Sequence, residues 1–196
     1  MESIMAAAPL VAVVAGALAV LFLEAFLKKK ESVLPAWAAV AALAAAGFFT
    51  VRSWNRGLAC FGGRLSLDPL ALVLTALFVL AGMAVVMMGL KYAVRRDMNL
   101  GQFCGLLLLA VAGAMIMVST ANWLIVFLGL EVLSVASYAL TGLKRNDAAS
   151  SEAAAKYFLL GSFDGAFFVF GLAFVYGSSG SLDLSSGSSP TGTVGL

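Results

Sequence analysis

Four ionisable side chains stand within or at the edge of long apolar runs: Glu24, Glu131, Lys156 and Asp164. A charged group at the middle of a membrane span costs on the order of 2.5–3.5 kcal/mol on insertion scales, so something must offset that cost. A carboxylate and an amine in a wet, low-dielectric interior can exchange protons when a neighbouring charge moves; they can equally bind a small cation. Glu131 follows Asn122 by nine residues and precedes Thr141 by ten. At 1.5 Å per residue it lies about 14 Å from the end of its run, near a membrane midplane. Its face carries Phe127, Leu128, Ser134 and Val135, and it has no charged neighbour within a turn. Two readings follow: a carboxylate on a proton path, or a protonated carboxyl hydrogen-bonded between helices as structural glue.

The other three are placed differently. Lys156 lies about one turn inside its run, where it either snorkels to the interface or points inward and exchanges protons. Asp164 lies about 17 Å beyond Ala153, again at mid-depth. It sits beside Gly161 and Gly165, a small-xxx-small pair that permits close helix approach. Lys156 and Asp164 are separated by about 12 Å and about 80° on an ideal helix, so a direct pair is disfavoured and a water link is open. Glu24 stands four residues before Lys28, the spacing of a helix-face ion pair, and reads as an interfacial carboxylate.

The elements that must position these groups follow from composition. Of 196 residues, 62% are apolar and 11% charged, against roughly 45–50% and about 25% in soluble domains. Mean hydropathy is +1.03. This argues against a soluble enzyme, a disordered tail and a secreted disulfide scaffold. A net charge of +2 offers no basic footprint for nucleic acid. There is no histidine, which removes haem ligation by histidine, most zinc sites and a Ser-His-Asp triad from this chain. Without a dinucleotide fingerprint or a cysteine cluster, the chain has no means of redox chemistry on its own.

About 20 apolar residues cross a bilayer. Six runs qualify: Ile4–Leu27, Val33–Val51, Pro69–Leu90, Phe103–Ser119, Leu124–Leu143 and Ala153–Tyr176. The expected fold class is an all-α, multi-pass transmembrane bundle of six spans occupying residues 1–184. Residues 185–196 form a flexible Gly/Ser-rich tail, apparently truncated. The fourth and fifth runs form an almost continuous stretch of about 40 residues, or about 60 Å, too long for one span, so a turn at Ser119–Asn122 divides them, with Asn122 as cap. Asp68-Pro69 marks a helix start, and Asp147 or Ser150 caps the sixth helix. The loop Arg52 to Asp68 can form a short outer hairpin.

Lys and Arg distribution sets the orientation. With the N-terminus outside, the inner loops hold Lys28, Lys29, Lys30, Lys91, Arg95, Arg96, Lys144 and Arg145; the outer segments hold Arg52, Arg56 and Arg64. Both ends are therefore expected outside. The first run lacks a positive n-region, which suits an uncleaved span rather than a signal peptide. Cys60 falls outside and Cys104 at the inner end of the fourth span, so no disulfide joins them.

The stretches NWLIVFLGLEVLSVASYALTGLKR (Asn122–Arg145) and EAAAKYFLLGSFDGAFFVFGLAFVYGSSGSLDL (Glu152–Leu184) resemble the subunit-N family of proton-translocating NADH-quinone oxidoreductase, respiratory complex I. The order carries the resemblance: an acid in Gly-Leu-Glu-Val-Leu-Ser, a Ser-Tyr-x-Leu end, a short basic loop, then Glu-Ala-Ala-x-Lys-Tyr. Phe61-Gly62-Gly63 to Asp68-Pro69 is also similar. The resemblance covers most of Phe61 to Leu184 and implies an antiporter-like membrane subunit of a bacterial inner membrane. It further implies that Glu131 and Lys156 carry or relay protons, with Glu131 transmitting charge along the membrane axis and Lys156 handing protons to the inner water. Asp164 stands where the family has a small or hydroxyl residue and is kept as a possible site.

By the same resemblance, NADH, flavin, iron-sulfur clusters and quinone belong to partner subunits, and this chain binds no cofactor and no metal. Its partners are other membrane subunits, lipid and protons, with no nucleic acid. Family members are much longer, and their later spans carry a lysine thought to pair with the fifth-span acid. The chain thus reads as a fragment, an early-terminated product or one piece of a split subunit. The alternatives are a subunit of a multisubunit sodium/proton antiporter, or a truncated, non-pumping structural remnant.

Overall fold

The computed structural model describes residues 2–26, 33–54, 59–60, 65–95, 98–144 and 146–184. In chain order these form α1 (Glu2–Phe26), α2 (Leu34–Arg52), β1 (Ala59–Cys60), β2 (Leu65–Ser66), α3 (Pro69–Arg95), α4 (Leu100–Val118), α5 (Trp123–Thr141) and α6 (Ala148–Ser179). All six helices are long and apolar enough to cross a membrane. The fold is an all-α multi-pass bundle with one small hairpin.

Four helix starts, those of α3 to α6, have a side-chain cap. Asp68 Oδ1 accepts from Ala71 N–H at 2.7 Å, with Pro69 opening α3 where a missing N–H costs nothing. Asn99 Oδ1 accepts from Gln102 N–H at 3.0 Å and starts α4. Asn122 Oδ1 accepts from Leu124 and Ile125 N–H at 3.1 and 3.4 Å, which breaks the apolar stretch into α4 and α5 as the turn requires. Of the two candidate caps for α6, Asp147 serves: its Oδ1 accepts from Ala149 N–H at 3.1 Å. The cap at 147 starts α6 five residues earlier than its apolar run. Likewise α3 continues past Leu90 through Lys91 to Arg95, because basic residues suit both an interface and a helix C-terminus.

α1 to α4 form the packed core. Val13, Ala17 and Val20 of α1 meet Ala39, Leu43 and Ala46 of α2, Val79 and Val86 of α3, and Cys104, Leu108 and Met115 of α4. Small residues set the helix spacing, as expected where lipid supplies no hydrophobic drive to associate. Gly16 lies directly on Ala42, and Gly105 lies on Leu21, whose Cδ2 would be 2.6 Å from a Cβ there. Cys104 is free and fully buried in this core. The side chain of Cys60 and the loop carrying Lys28, Lys29 and Lys30 lie outside the described residues, as does the 185–196 tail.

One end of the bundle is stitched together by backbone. β1 pairs antiparallel with β2, so the hairpin expected in the second loop is present as two short strands. Leu65 bridges to Thr120, and Asn122 bridges to Asp183. Asn122 Nδ2 also donates to Asp183 Oδ1 at 2.7 Å. The α2–α3 loop, the α4–α5 turn and the end of α6 therefore share one end. Ala7 and Leu10 of α1 line a small cavity with Leu65, Leu67 and Ser119 at that end. This is the arrangement of an even number of spans.

α5 and α6 stand on the flank. α5 packs on α4, and α6 packs on α5. The α4–α5 crossing is backbone to backbone: a Cβ on Gly113 would stand 2.6 Å from Gly129 O, and one on Gly129 would stand 2.8 Å from Gly113 O. α6 leaves Phe163, Phe167, Phe170 and Phe174 about two-thirds exposed, an apolar surface suited to hydrocarbon or to further helices.

Candidate functional site

Glu131 sits in the middle of α5, held from both sides. Two residues before it, Gly129 lets α5 lie directly against α4. On the other side its carboxylate reaches α6 at Gly165, where Oε1 would be 2.8 Å from a Cβ. The group is half-buried and has no hydrogen-bond or ion-pair partner among the described residues. Aromatic pairs bracket it along the α5–α6 seam. Phe127 stacks on Phe168 with ring centroids 5.5 Å apart, toward the hairpin end. Toward the other end, Tyr138 meets Tyr157 and Phe158 edge to face at 4.7 and 5.9 Å.

The glycine pair singled out in the sequence thus has a definite use. Gly165 receives the Glu131 carboxylate, and Gly161 receives the Tyr138 hydroxyl, which occupies the space of an absent side chain. The face of α5 that does this is polar. Glu131, Ser134, Tyr138 and Thr141 fall at i, i+3, i+7 and i+10, within about 80° of arc at 3.6 residues per turn. At its foot Ser150 donates to Thr141 O at 2.7 Å, joining the start of α6 to the end of α5. There an open cleft of about 460 Å³ is lined by Tyr92, Phe103, Thr141, Lys144, Asp147 and Ser150. Lys144 Nζ and Asp147 Oδ2 pair at 2.8 Å in its wall. That hydrogen bond, the charge of Lys144 and the Ala149 N–H hold the Asp147 carboxyl below the usual aspartate range.

The other candidates are not gathered at this point. Lys156 pairs with Glu152 one turn earlier on the same helix, and both side chains are about two-thirds exposed. It lies nine residues from Gly165, about 14 Å along α6 from the Glu131 contact. Asp164 is exposed on α6, about 100° around the helix from Gly165 and about 60° from Gly161, at the edge of the α5 seam. Glu24 packs on Gly101 of α4 at the cleft end of the bundle. Among the described residues, no three His, Cys, Asp or Glu side chains converge to hold a metal ion. Tyr138 is the residue that sequence reasoning passed over. Its signal was its two-turn spacing from Glu131, on the same face.

Comparison with known proteins gives the family. Residues 119–190 match the family described as NADH:quinone oxidoreductase/Mrp antiporter, TM. The chain is 36% identical over 178 residues to NADH-quinone oxidoreductase subunit N of Chloroflexus aggregans, covering 90% of this chain and 36% of that one. It is 32% identical over 163 residues to subunit N of Trichlorobacter lovleyi, covering 83% of this chain and 34% of the relative. The chain thus spans about a third of the length of these curated relatives. Among solved structures, respiratory complex I from Thermus thermophilus matches with a TM-score of 0.75 and 31% identity, covering 93% of this chain and 39% of that chain. An archaeal membrane-bound sulfane sulfur reductase shares the fold, with a TM-score of 0.70 at 22% identity. The chain belongs to the family of antiporter-like membrane subunits, similar in sequence and fold to part of subunit N of NADH-quinone oxidoreductase.

Proposed function

We propose that this chain is a membrane subunit of a proton-translocating NADH-quinone oxidoreductase and takes part in moving protons as quinone is reduced. The observation that carries this reading is Glu131: a carboxylate at mid-span with no polar partner among the described residues, set in a glycine notch and joined by a polar face to an open cleft. The cost of keeping a carboxylate at that depth is a reason to assign it work rather than packing. In this reading Glu131 takes up and releases a proton as neighbouring charge changes. Lys156, paired with Glu152 near the cleft end of α6, exchanges protons with the water at that end. Asp164 remains a candidate on the exposed flank of α6.

In this reading the cleft end lies inside the cell and the hairpin end outside, in a bacterial inner membrane; the excess of Lys and Arg in the sequence between α1 and α2, α3 and α4, and α5 and α6 supports it. Nicotinamide, flavin, iron-sulfur and quinone chemistry belong to partner subunits of the assembly. The relatives are named as one subunit, N, of NADH-quinone oxidoreductase, which supports a place within a larger assembly. The family description also names Mrp antiporters, which favours one rival: a subunit of a sodium/proton antiporter.

Membrane vesicles from cells with and without this chain test the choice. NADH-driven acidification with a quinone acceptor is expected to require the chain and to be insensitive to a sodium gradient. Unchanged acidification in its absence overturns the proposal. Proton movement that needs sodium and ignores NADH supports the antiporter instead.

A further inference from the structure

Tyr138 carries a hydroxyl that the chemistry above leaves unused, in the place where that chemistry needs one. It follows Glu131 by seven residues, two turns, so both side chains face α6. Both side chains lean toward the helix N-terminus, and the longer tyrosine reaches further back, which brings the phenol toward the carboxylate. Their end points are marked on α6. Glu131 Oε1 fills the notch at Gly165, 2.8 Å from the position of a Cβ, and the Tyr138 hydroxyl fills the notch at Gly161. The two glycines are one turn apart, so the notches are separated by about 5–6 Å. One water making two hydrogen bonds of about 2.8 Å at its near-tetrahedral angle joins oxygens about 4.5 Å apart, a separation open to two side-chain oxygens that each stand off the Cβ position of their own notch. Neither group has another hydrogen-bond partner among the described residues. The rings of Tyr157 and Phe158 fix the phenol in place.

We propose that Tyr138 is a positioning residue for Glu131, its hydroxyl holding through one water the carboxyl group, and that this water is the first carrier of the Glu131 proton. When the carboxyl O–H bond breaks, its proton passes to the water. The water passes one of its own hydrogens to the next oxygen toward Thr141 and the cleft. Glu131 is left as a carboxylate, the water is again neutral, and Tyr138 is unchanged. The two notches keep the seam open: a side chain at residue 161 or 165 would occupy the space of the hydroxyl or the carboxylate.

The transport consequence rests on the proposed role of Glu131, whereas the water link has a readout of its own. Infrared difference spectra of the intact protein in phosphatidylcholine vesicles, taken across an acid-to-alkaline titration, report the carbonyl band of Glu131. The Glu131→Gln variant identifies that band. Tyr138→Phe removes the hydroxyl and keeps the ring contacts. It is expected to move the Glu131 band to higher wavenumber, to remove one bound-water stretching band, and to slow proton movement severalfold. Gly161→Ala fills the notch, keeps the hydroxyl, and is expected to move the same band. A Glu131 band that stays in place in both variants overturns the proposal. A band that moves as expected, in a protein whose transport ignores Glu131→Gln, upholds the water link and removes the transport role instead.

Discussion

At the scale of single residues, Glu131 was legible because its type contradicts its surroundings. A lone acid in an apolar run needs no structure to be noticed. What surrounds it was not legible, since the contacts come from a second helix. Gly165 is an ordinary small residue in the sequence, and only the packing of α6 on α5 puts it against the carboxylate. Lys156 shows the reverse. Its family motif marked it, yet the structure gives it Glu152 as an exposed neighbour four residues away. Gly165→Ala should push the Glu131 carboxylate out of its notch and lower proton movement. Gly171→Ala, where a Cβ meets nothing within 4 Å, should leave it unchanged, and the two assayed together in vesicles separate a site effect from a helix effect. Asp147 gives a pH prediction. Its carboxyl is held below the ordinary aspartate range by Lys144 and the α6 N-terminus. The folded form therefore binds its proton less readily than the unfolded form. The stabilisation is fully present above about pH 4 and is lost as pH falls through the lowered native value. Amide protection in the first turn of α6, taken relative to the intrinsic exchange rate at each pH, should fall over that acid range, and should show no such onset there in Asp147→Asn, which keeps a capping oxygen without the charge.

At the scale of elements, the helices follow from hydropathy and caps, and the seams between them do not. Asp68-Pro69, Asn122 and Asp147 announce helix starts through short polar side chains that any reader of the chain can see. The early start of α6 came from the cap overriding the apolar boundary. Which helix meets which is decided by glycines whose partners are distant in sequence. Gly113 and Gly129 bring α4 and α5 into backbone contact, which fixes the depth and facing of Glu131 two residues later. A methyl there meets backbone that cannot turn aside. Gly113→Ala should destabilise the bundle by about 1–3 kcal/mol, the usual cost of overpacking. Thermal unfolding in detergent should show the loss, and a midpoint equal to that of the unaltered protein would refute the tight crossing.

At the scale of the whole molecule, six spans and a shared end for the α2–α3, α4–α5 and post-α6 segments were foreshadowed by counting apolar runs, because span length is set by the bilayer and not by sequence detail. The compact α1–α4 core and the open α5–α6 flank were not, since periodicity is weak when both lipid and protein faces are apolar. Orientation has its own test. Cysteines placed between Arg52 and Arg64 should react with an impermeant reagent from outside, and those between Lys91 and Asp97 from inside; the opposite pattern would invert the assignment of the cleft end. In the proposed function the mid-span acid of α5 moves protons. Protons translocated per NADH oxidised should be measured in sealed vesicles carrying Glu131 or Glu131→Gln, with electron transfer to quinone followed in the same sample. A fall in that ratio is expected for the glutamine variant, while an unaltered ratio at full electron transfer would rule out a proton-moving role for Glu131.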